Sequence, residues 1–292
     1  MLSEHEKFLF DVNGYLVVED ILEAGHLKEL NDAFDQAGDR LGQLGFSLAE
    51  KAERFQGEHR RDEFNEPFDW PKPACLAFRK LLSLPASVEL MLELIGDGFR
   101  YDTMKGTIMK PGTEGYRLHG AGGIPGDLRF YRVSDGRMSS GLMNISFALT
   151  DVNPGDGGFG CIPGSHKANF RCPVEIRRME AYAEHVRQVP VRAGSAVVFT
   201  ETLVHGTLPW TGASERRTVF ARYSPGAMMF RPNALPVGYE DFAHELTPLQ
   251  RAIFEPPYYL NRPKISELLA AESRTRVEDS APGTRPGDTP GA

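Results

Sequence analysis

The sequence predicts a mainly β domain with flanking helices, a sandwich or jelly-roll (cupin-like) barrel, and three observations carry that expectation. Short extended segments punctuated by Gly and Pro occupy 99–110, 128–133, 141–151, 158–162, 187–191, 195–200 and 216–223. The 30 Gly residues concentrate between 111 and 164, as many turns between short strands require, and 21 Pro residues punctuate the chain. The strands do not alternate with helices, which argues against a doubly wound parallel sheet.

Before the strands, Leu22, His26, Leu27, Leu30 and Phe34 fall at helical spacing, and Val88, Leu90, Met91, Leu92, Leu94 and Ile95 form a second apolar run closed by Gly96. Between these helices, residues 40–70 are charged and poorly periodic, yet carry Phe46, Phe55, Phe64, Phe68 and Trp70. Aromatics in such a loop anchor a lid or cover a core edge. One helix is expected among the strands, at 173–186, where Val174, Ile176, Met179, Tyr182, Ala183 and Val186 make an apolar stripe after Pro173. Helical signals return at 238–254 and 263–272. The closing segment, SRTRVEDSAPGTRPGDTPGA, is polar and rich in Pro and Gly and reads as a disordered tail. The expected organisation is a single domain over 1–272, with its barrel core at about 99–225, and a tail over 273–292.

Composition narrows the function. Hydrophobic residues at 41% and charged residues at 25% match a folded globular chain. A net charge of -7 repels a phosphate backbone, so nucleic-acid polymers are not expected partners. No run approaches the ~18 apolar residues of a membrane helix, and the charged N-terminus is unlike a secretory signal, so a cytoplasmic location is expected. Cys75, Cys161 and Cys172 form no even framework and no C-x-x-C pair, and are expected as reduced thiols.

Of the eight histidines, His5, His26, His59, His185 and His244 sit in helical or charged stretches that favour solvated or capping roles, and His166 lies in a turn that suits a structural hydrogen bond. His119 and His205 differ. They occur among small neighbours, in Arg-Leu-His-Gly-Ala-Gly-Gly and Thr-Leu-Val-His-Gly-Thr. Two imidazoles from different strands hold a metal with open positions, as in non-haem Fe(II) oxygenases. Beyond His205 the segment GTLPWTGASERRTVFAR brings two arginines onto a strand, where one can grip a buried carboxylate bidentately.

With these residues the chain resembles the phytanoyl-CoA dioxygenase-like family of Fe(II)- and 2-oxoglutarate-dependent enzymes over roughly residues 9–225. The likeness rests on Lys-Pro-Gly at 110–112, Ala-Leu-Thr-Asp-Val-Asn-Pro-Gly-Asp-Gly-Gly at 148–158, Pro-Gly-Ser-His at 163–166, and His205 followed by Arg216. It implies a double-stranded β-helix barrel in which His119 and His205 bind iron, molecular oxygen is the oxidant, and Arg216 holds 2-oxoglutarate. Arg217 is the rival for that grip, since neighbouring strand residues face opposite ways. Asn144 and Ser146, on one face of an inward strand, are implied as further co-substrate contacts.

The family's first motif is His-x-Asp, whereas this chain reads His119-Gly120-Ala121. Three explanations stand. Asp127, or Glu114, supplies the carboxylate; the protein has lost activity and binds a ligand as a jelly roll; or chloride takes the vacated position. The last is the pattern of the 2-oxoglutarate-dependent halogenases, in which Ala121 leaves space for the halide. The expected function is therefore halogenation of a free small molecule, with no carrier protein, and a hydroxylase as the alternative. The resemblance extends to purine nucleotide halogenases of nucleoside antibiotic pathways, and Arg129, Arg132, Arg137, Arg177 and Arg178 are candidate phosphate partners, with Phe130, Tyr131 and Phe159 as stacking surfaces.

Overall fold

The computed structural model describes residues 2–120 and 129–280, with side chains to 277. Its strands are β1 (Tyr15–Val18), β2 (Asp62–Asn65), β3 (Arg100–Met109), β4 (Tyr116–His119), β5 (Tyr131–Ser134), β6 (Arg137–Ser140), β7 (Met143–Ala148), β8 (Gly158–Cys161), β9 (Arg187–Gln188), β10 (Ala196–Thr200), β11 (His205–Leu208) and β12 (Arg216–Ser224). Six form a major sheet in the order β1-β10-β7-β12-β3-β2, four a minor sheet in the order β4-β11-β8-β9, and β5 and β6 a separate hairpin. Every pairing is antiparallel.

The major sheet has two differently composed faces, as the two-residue repeat of a strand demands. Its outer face presents Met104, Ile108, Ile145, Phe147, Val198, Val219 and Ala221 to Leu30, Phe34, Phe78, Leu81, Met91 and Phe254. Those partners lie on the helices Ala24–Asp35, Ala74–Leu82, Pro85–Leu94 and Pro248–Phe254. Each such side chain removed from water contributes about 1.5–3 kcal/mol, which fixes the helical layer to this face. The inner face carries Lys105, Asn144, Arg216, Phe220 and Arg222. These line one cavity together with His119, Phe159 and His205 of the minor sheet, so the two sheets face each other across it. The sheets remain separate, and the expected barrel is not closed.

The helix at 173–186 is corrected to one turn, Val174–Arg177, and a 3-10 turn at Ala183–His185. Met179 and Tyr182 adopt left-handed φ of 57° and 55°, which breaks the expected stripe. The 238–254 segment is divided, because Thr247 caps a new helix that begins at Pro248: its side chain accepts from the Gln250 amide while Gln250 reaches back. The last helix runs Ile265–Ser280, through the first eight residues of the expected tail. In the 40–70 segment Phe55, Phe64, Phe68 and Trp70 are buried, and Phe64 packs on Trp70 at 4.6 Å and Phe34 at 4.9 Å, whereas Phe46 is exposed. The three cysteines are free. Among the described residues no helix is long and apolar enough to cross a membrane.

Candidate active site

His119 ends β4 and His205 begins β11, and the two are directly opposed in the antiparallel register, so their side chains leave the sheet on one face. Their ring centroids lie 4.3 Å apart. Gly120 makes this approach possible: at φ 149°, a Cβ there would stand 2.4 Å from the Leu203 carbonyl oxygen. In each imidazole Nδ1 meets a backbone carbonyl two residues earlier, Arg117 at 3.2 Å and Leu203 at 2.7 Å. A proton on Nδ1 that donates to the carbonyl leaves Nε2 with its lone pair free.

The third member of the group is Glu201. One ligand atom from each of His119, Glu201 and His205 lies within 4.8 Å of the others. Glu201 follows β10 at the start of a turn closed by the Leu203 amide on the Thr200 carbonyl, and its own amide donates to the Leu142 carbonyl. This turn folds the side chain back toward β11. Its Oε2 accepts from the Asn144 amide at 2.7 Å. Burial pushes the Glu201 carboxyl up, but the two imidazoles, the Arg222 guanidinium and the Asn144 amide outweigh it and hold it below its ordinary value. Burial and the neighbouring His205 push His119 down to about 3, and burial lowers His205, so both rings are neutral near pH 7. Two neutral imidazoles and one carboxylate, all buried or nearly so, form the donor set of a facial N,N,O site for a divalent metal.

Arg216 opens β12 and lines the same cavity, of about 630 Å³. Its guanidinium is buried, and its one hydrogen bond among the described residues goes from a terminal nitrogen to Met109 Sδ at 3.3 Å. Its Nε has no partner among the described residues, and burial pushes its pKa down to about 10, leaving it a cation at neutral pH. A buried cation without an anion is costly, and a carboxylate ligand would complete it. Gly158 leaves room for it: with φ 79°, a Cβ at this position would stand 3.2 Å from Arg216 Nε. Arg217 faces the other way and is held by Asp35 at 2.7 Å and Glu215 at 2.6 Å, so it does not compete for the cavity.

Asn144 lines the cavity, but its amide is engaged with Glu201. Ser146 shares its strand face and is buried, and it is not among the residues that line the cavity. Glu114 is also removed from the metal group: its carboxylate accepts from Ser47 Oγ at 2.5 Å and the Leu48 amide at 3.1 Å. Ala121 and Asp127 lie outside the described residues. Of the expected phosphate partners and stacking surfaces, Arg129 and Phe159 line the cavity. Arg132 sits over Phe130 on the β5–β6 side, Tyr131 donates to Asp11, and neither Arg137, Arg177 nor Arg178 reaches the cavity.

His5, His59, His185 and His244 are exposed, as their settings suggested. His26 is buried instead, with Nε2 2.9 Å from the Ala77 carbonyl, because its helix turns that face onto the helix Ala74–Leu82. His166 is buried edge-on against Tyr131 at 4.8 Å. Glu201 escaped the sequence reading. The available signal was its being the one acid between residues 195 and 210, four residues before His205. That spacing places two residues on one face of a continuous helix or strand, but here the chain is strand, turn and strand, so the spacing does not predict their approach.

A family model described as phytanoyl-CoA dioxygenase (PhyH) matches residues 10–218. No curated protein matches the sequence significantly. Among solved structures, the chain is similar to HygX from Streptomyces hygroscopicus with nickel, 2-oxoglutarate and hygromycin B bound, at 20% identity and TM-score 0.65, covering 78% of this chain and 89% of that one. It is also similar to SnoK, a non-heme alpha ketoglutarate dependent carbocyclase from nogalamycin biosynthesis, at 17% identity and TM-score 0.58, covering 88% and 94%. SnoN, an epimerase of the same biosynthesis, matches at 19% identity and TM-score 0.57, covering 78% and 85%. At these identities the likeness is one of fold.

Proposed function

The chain belongs to the phytanoyl-CoA dioxygenase family, and from that premise we propose that it is an Fe(II)- and 2-oxoglutarate-dependent oxygenase whose metal carboxylate is Glu201. The observation that carries this reading is the His119, Glu201 and His205 cluster, with ligand atoms within 4.8 Å, in one cavity with the Arg216 guanidinium, which has no acidic partner among the described residues. Fe(II) with 2-oxoglutarate and O2 supplies oxidation of a substrate C–H bond, coupled to decarboxylation of the 2-oxoglutarate to succinate. His119, His205 and Glu201 would hold the metal, and Arg216 would bind the distal carboxylate and so orient the co-substrate. Asn144 fixes the carboxylate of Glu201 through its amide. Phe159 and Phe199 pack against the His205 ring at 5.9 and 4.6 Å and exclude water from that side.

Halogenation, the function suggested by Ala121, requires a metal position that no protein carboxylate fills. Glu201 brings a carboxylate to the same two imidazoles, which removes the reason for expecting chloride. Oxygenation of a small molecule is the better supported outcome, and the part that SnoN and SnoK, which share the fold, play in nogalamycin biosynthesis favours a natural-product substrate. The test is turnover of candidate small molecules after anaerobic loading with Fe(II) and 2-oxoglutarate, with and without chloride or bromide. Products should gain oxygen or lose hydrogen irrespective of halide. A halogenated product, or full iron binding by Glu201→Ala, would overturn the assignment of Glu201.

A further inference from the structure

Arg216 marks one end of the cavity, and the other end is also cationic. Arg216, Phe220 and Arg222 share the inner face of β12, since alternate strand residues point the same way. Six residues separate the two arginines, about 20 Å at ~3.3 Å per residue. A five-carbon diacid anchored on Arg216 does not extend that far. On the neighbouring strand Lys105 is opposite Phe220 and Thr103 is opposite Arg222, which makes Lys105 and Arg222 diagonal neighbours on the cavity wall. Diagonal pairs are within reach of long side chains, and like charges so placed repel.

Two acids near this end, Glu63 and Asp102, stand behind the bases, while Glu201, which lines the cavity, faces the two imidazoles and the Asn144 amide. Glu63 is shared between Arg61 at 3.0 Å and Lys105 at 3.4 Å, and the fully buried Asp102 holds Arg222 at 3.0 Å. Arg61, Lys105 and Arg222 line the cavity, whereas Glu63 and Asp102 do not. Three cations against two carboxylates leave one positive charge in excess among these five residues. Burial pushes the Lys105 ammonium down, Glu63 opposes this, and Arg61 and Arg222 add to the lowering. An anion entering between Lys105 and Arg222 would relieve that repulsion while accepting charge-assisted hydrogen bonds.

We propose that Lys105 and Arg222 form a second anion-binding end of the cavity, which takes the primary substrate by a carboxylate or phosphate group. Phe220, between them and Arg216 on β12, offers an apolar surface for the body of that molecule. Naming the occupant as substrate rests on the proposed oxygenase function; the anion site itself rests on the charges of β3 and β12.

The probes are phenyl phosphate and benzoate, which carry the two candidate anions on the same apolar ring. Each is titrated by ligand-observed NMR into protein loaded with Zn(II) and saturating 2-oxoglutarate. At least one probe should bind saturably, and its identity names the group. Lys105→Met should weaken that binding at least tenfold with an unchanged circular dichroism spectrum, and Lys105→Arg should retain it. Absence of saturable binding by both probes, or equal affinity in Lys105→Met, would overturn the inference. Failure of 2-oxoglutarate itself to bind would count against the co-substrate reading alone, and the Lys105→Met comparison is then read on protein without it.

Discussion

At the scale of single residues, Glu201→Gln keeps the shape of the side chain and removes its charge. Metal affinity should fall at least about tenfold, because a neutral amide replaces the one anionic ligand of a divalent ion. Calorimetric titration of metal-stripped protein with Mn(II) measures this without requiring turnover. Asn144→Ala leaves the ligand in place and frees its carboxylate to rotate. A loss of roughly ten- to a hundredfold in metal affinity is expected, the range typical when a ligand's supporting hydrogen bond is removed. Arg216→Ala should raise the 2-oxoglutarate dissociation constant by about ten- to a hundredfold, the equivalent of a charge-assisted bond of ~1.5–3 kcal/mol. Arg217→Ala, which breaks contacts to Asp35, Glu215, Asn31 and Phe34 outside the cavity, should leave it unchanged in the same titration.

At the scale of elements, the turn between β7 and β8 serves the site through its backbone. Asn153 and Asp156 close it, with the Asn153 amide donating to Asp156 Oδ2 at 2.8 Å, and it delivers Gly158 beside Arg216. Gly158→Ala combines a left-handed φ with a crowded Cβ, so stability should fall by about 1–2 kcal/mol. 2-Oxoglutarate binding should weaken with it as the guanidinium is displaced. The helix Pro248–Phe254 gives a control remote from the cavity. Thr247→Ala removes its capping bond and should cost about 1 kcal/mol in denaturant unfolding, with 2-oxoglutarate affinity intact.

Over the whole molecule, buried neutral histidines set the response to acid. Burial and the adjacent Lys167 push His166 from an ordinary value of 6.5 down to about 4. Between those values the unfolded chain binds a proton that the folded chain does not, so stability is full above about pH 6.5 and falls as the pH drops toward 4. Burial lowers His26 in the same direction. Thermal midpoints recorded from pH 7 to pH 4 should decline, and His166→Gln should flatten the decline by removing one of the titrating groups. A slope identical to wild type would show that His166 takes up its proton over the same pH range folded and unfolded, and is not depressed by burial.

Much of this architecture is written in local sequence. The strands at 99–110, 195–200 and 216–223 announce themselves by β-branched and aromatic residues bounded by Gly and Pro, and the helices Ala24–Asp35 and Pro85–Leu94 by their apolar spacing. His119, His205 and Arg216 stand out because small residues and turns surround them, and the two-residue repeat of β12 restricts the inward arginine to Arg216 or Arg217. The strands β2 and β11 fall outside the expected segments, since DEFN and HGTL contain no run of β-branched or aromatic residues. Glu201 was beyond sequence reasoning for a different reason. Its approach to two imidazoles depends on the Thr200–Leu203 turn and on Asn144 from a neighbouring strand, contacts between residues up to 57 positions apart. The paired charges of Lys105 with Glu63 and Arg222 with Asp102 are likewise products of strand register. Sequence by itself determined the two histidines and the pair of arginines from which the site is drawn, because residue type and local spacing fix those. The tertiary structure decided which carboxylate joins the two histidines and which arginine meets the cavity, because packing two sheets face to face is what brings distant side chains within a few ångströms.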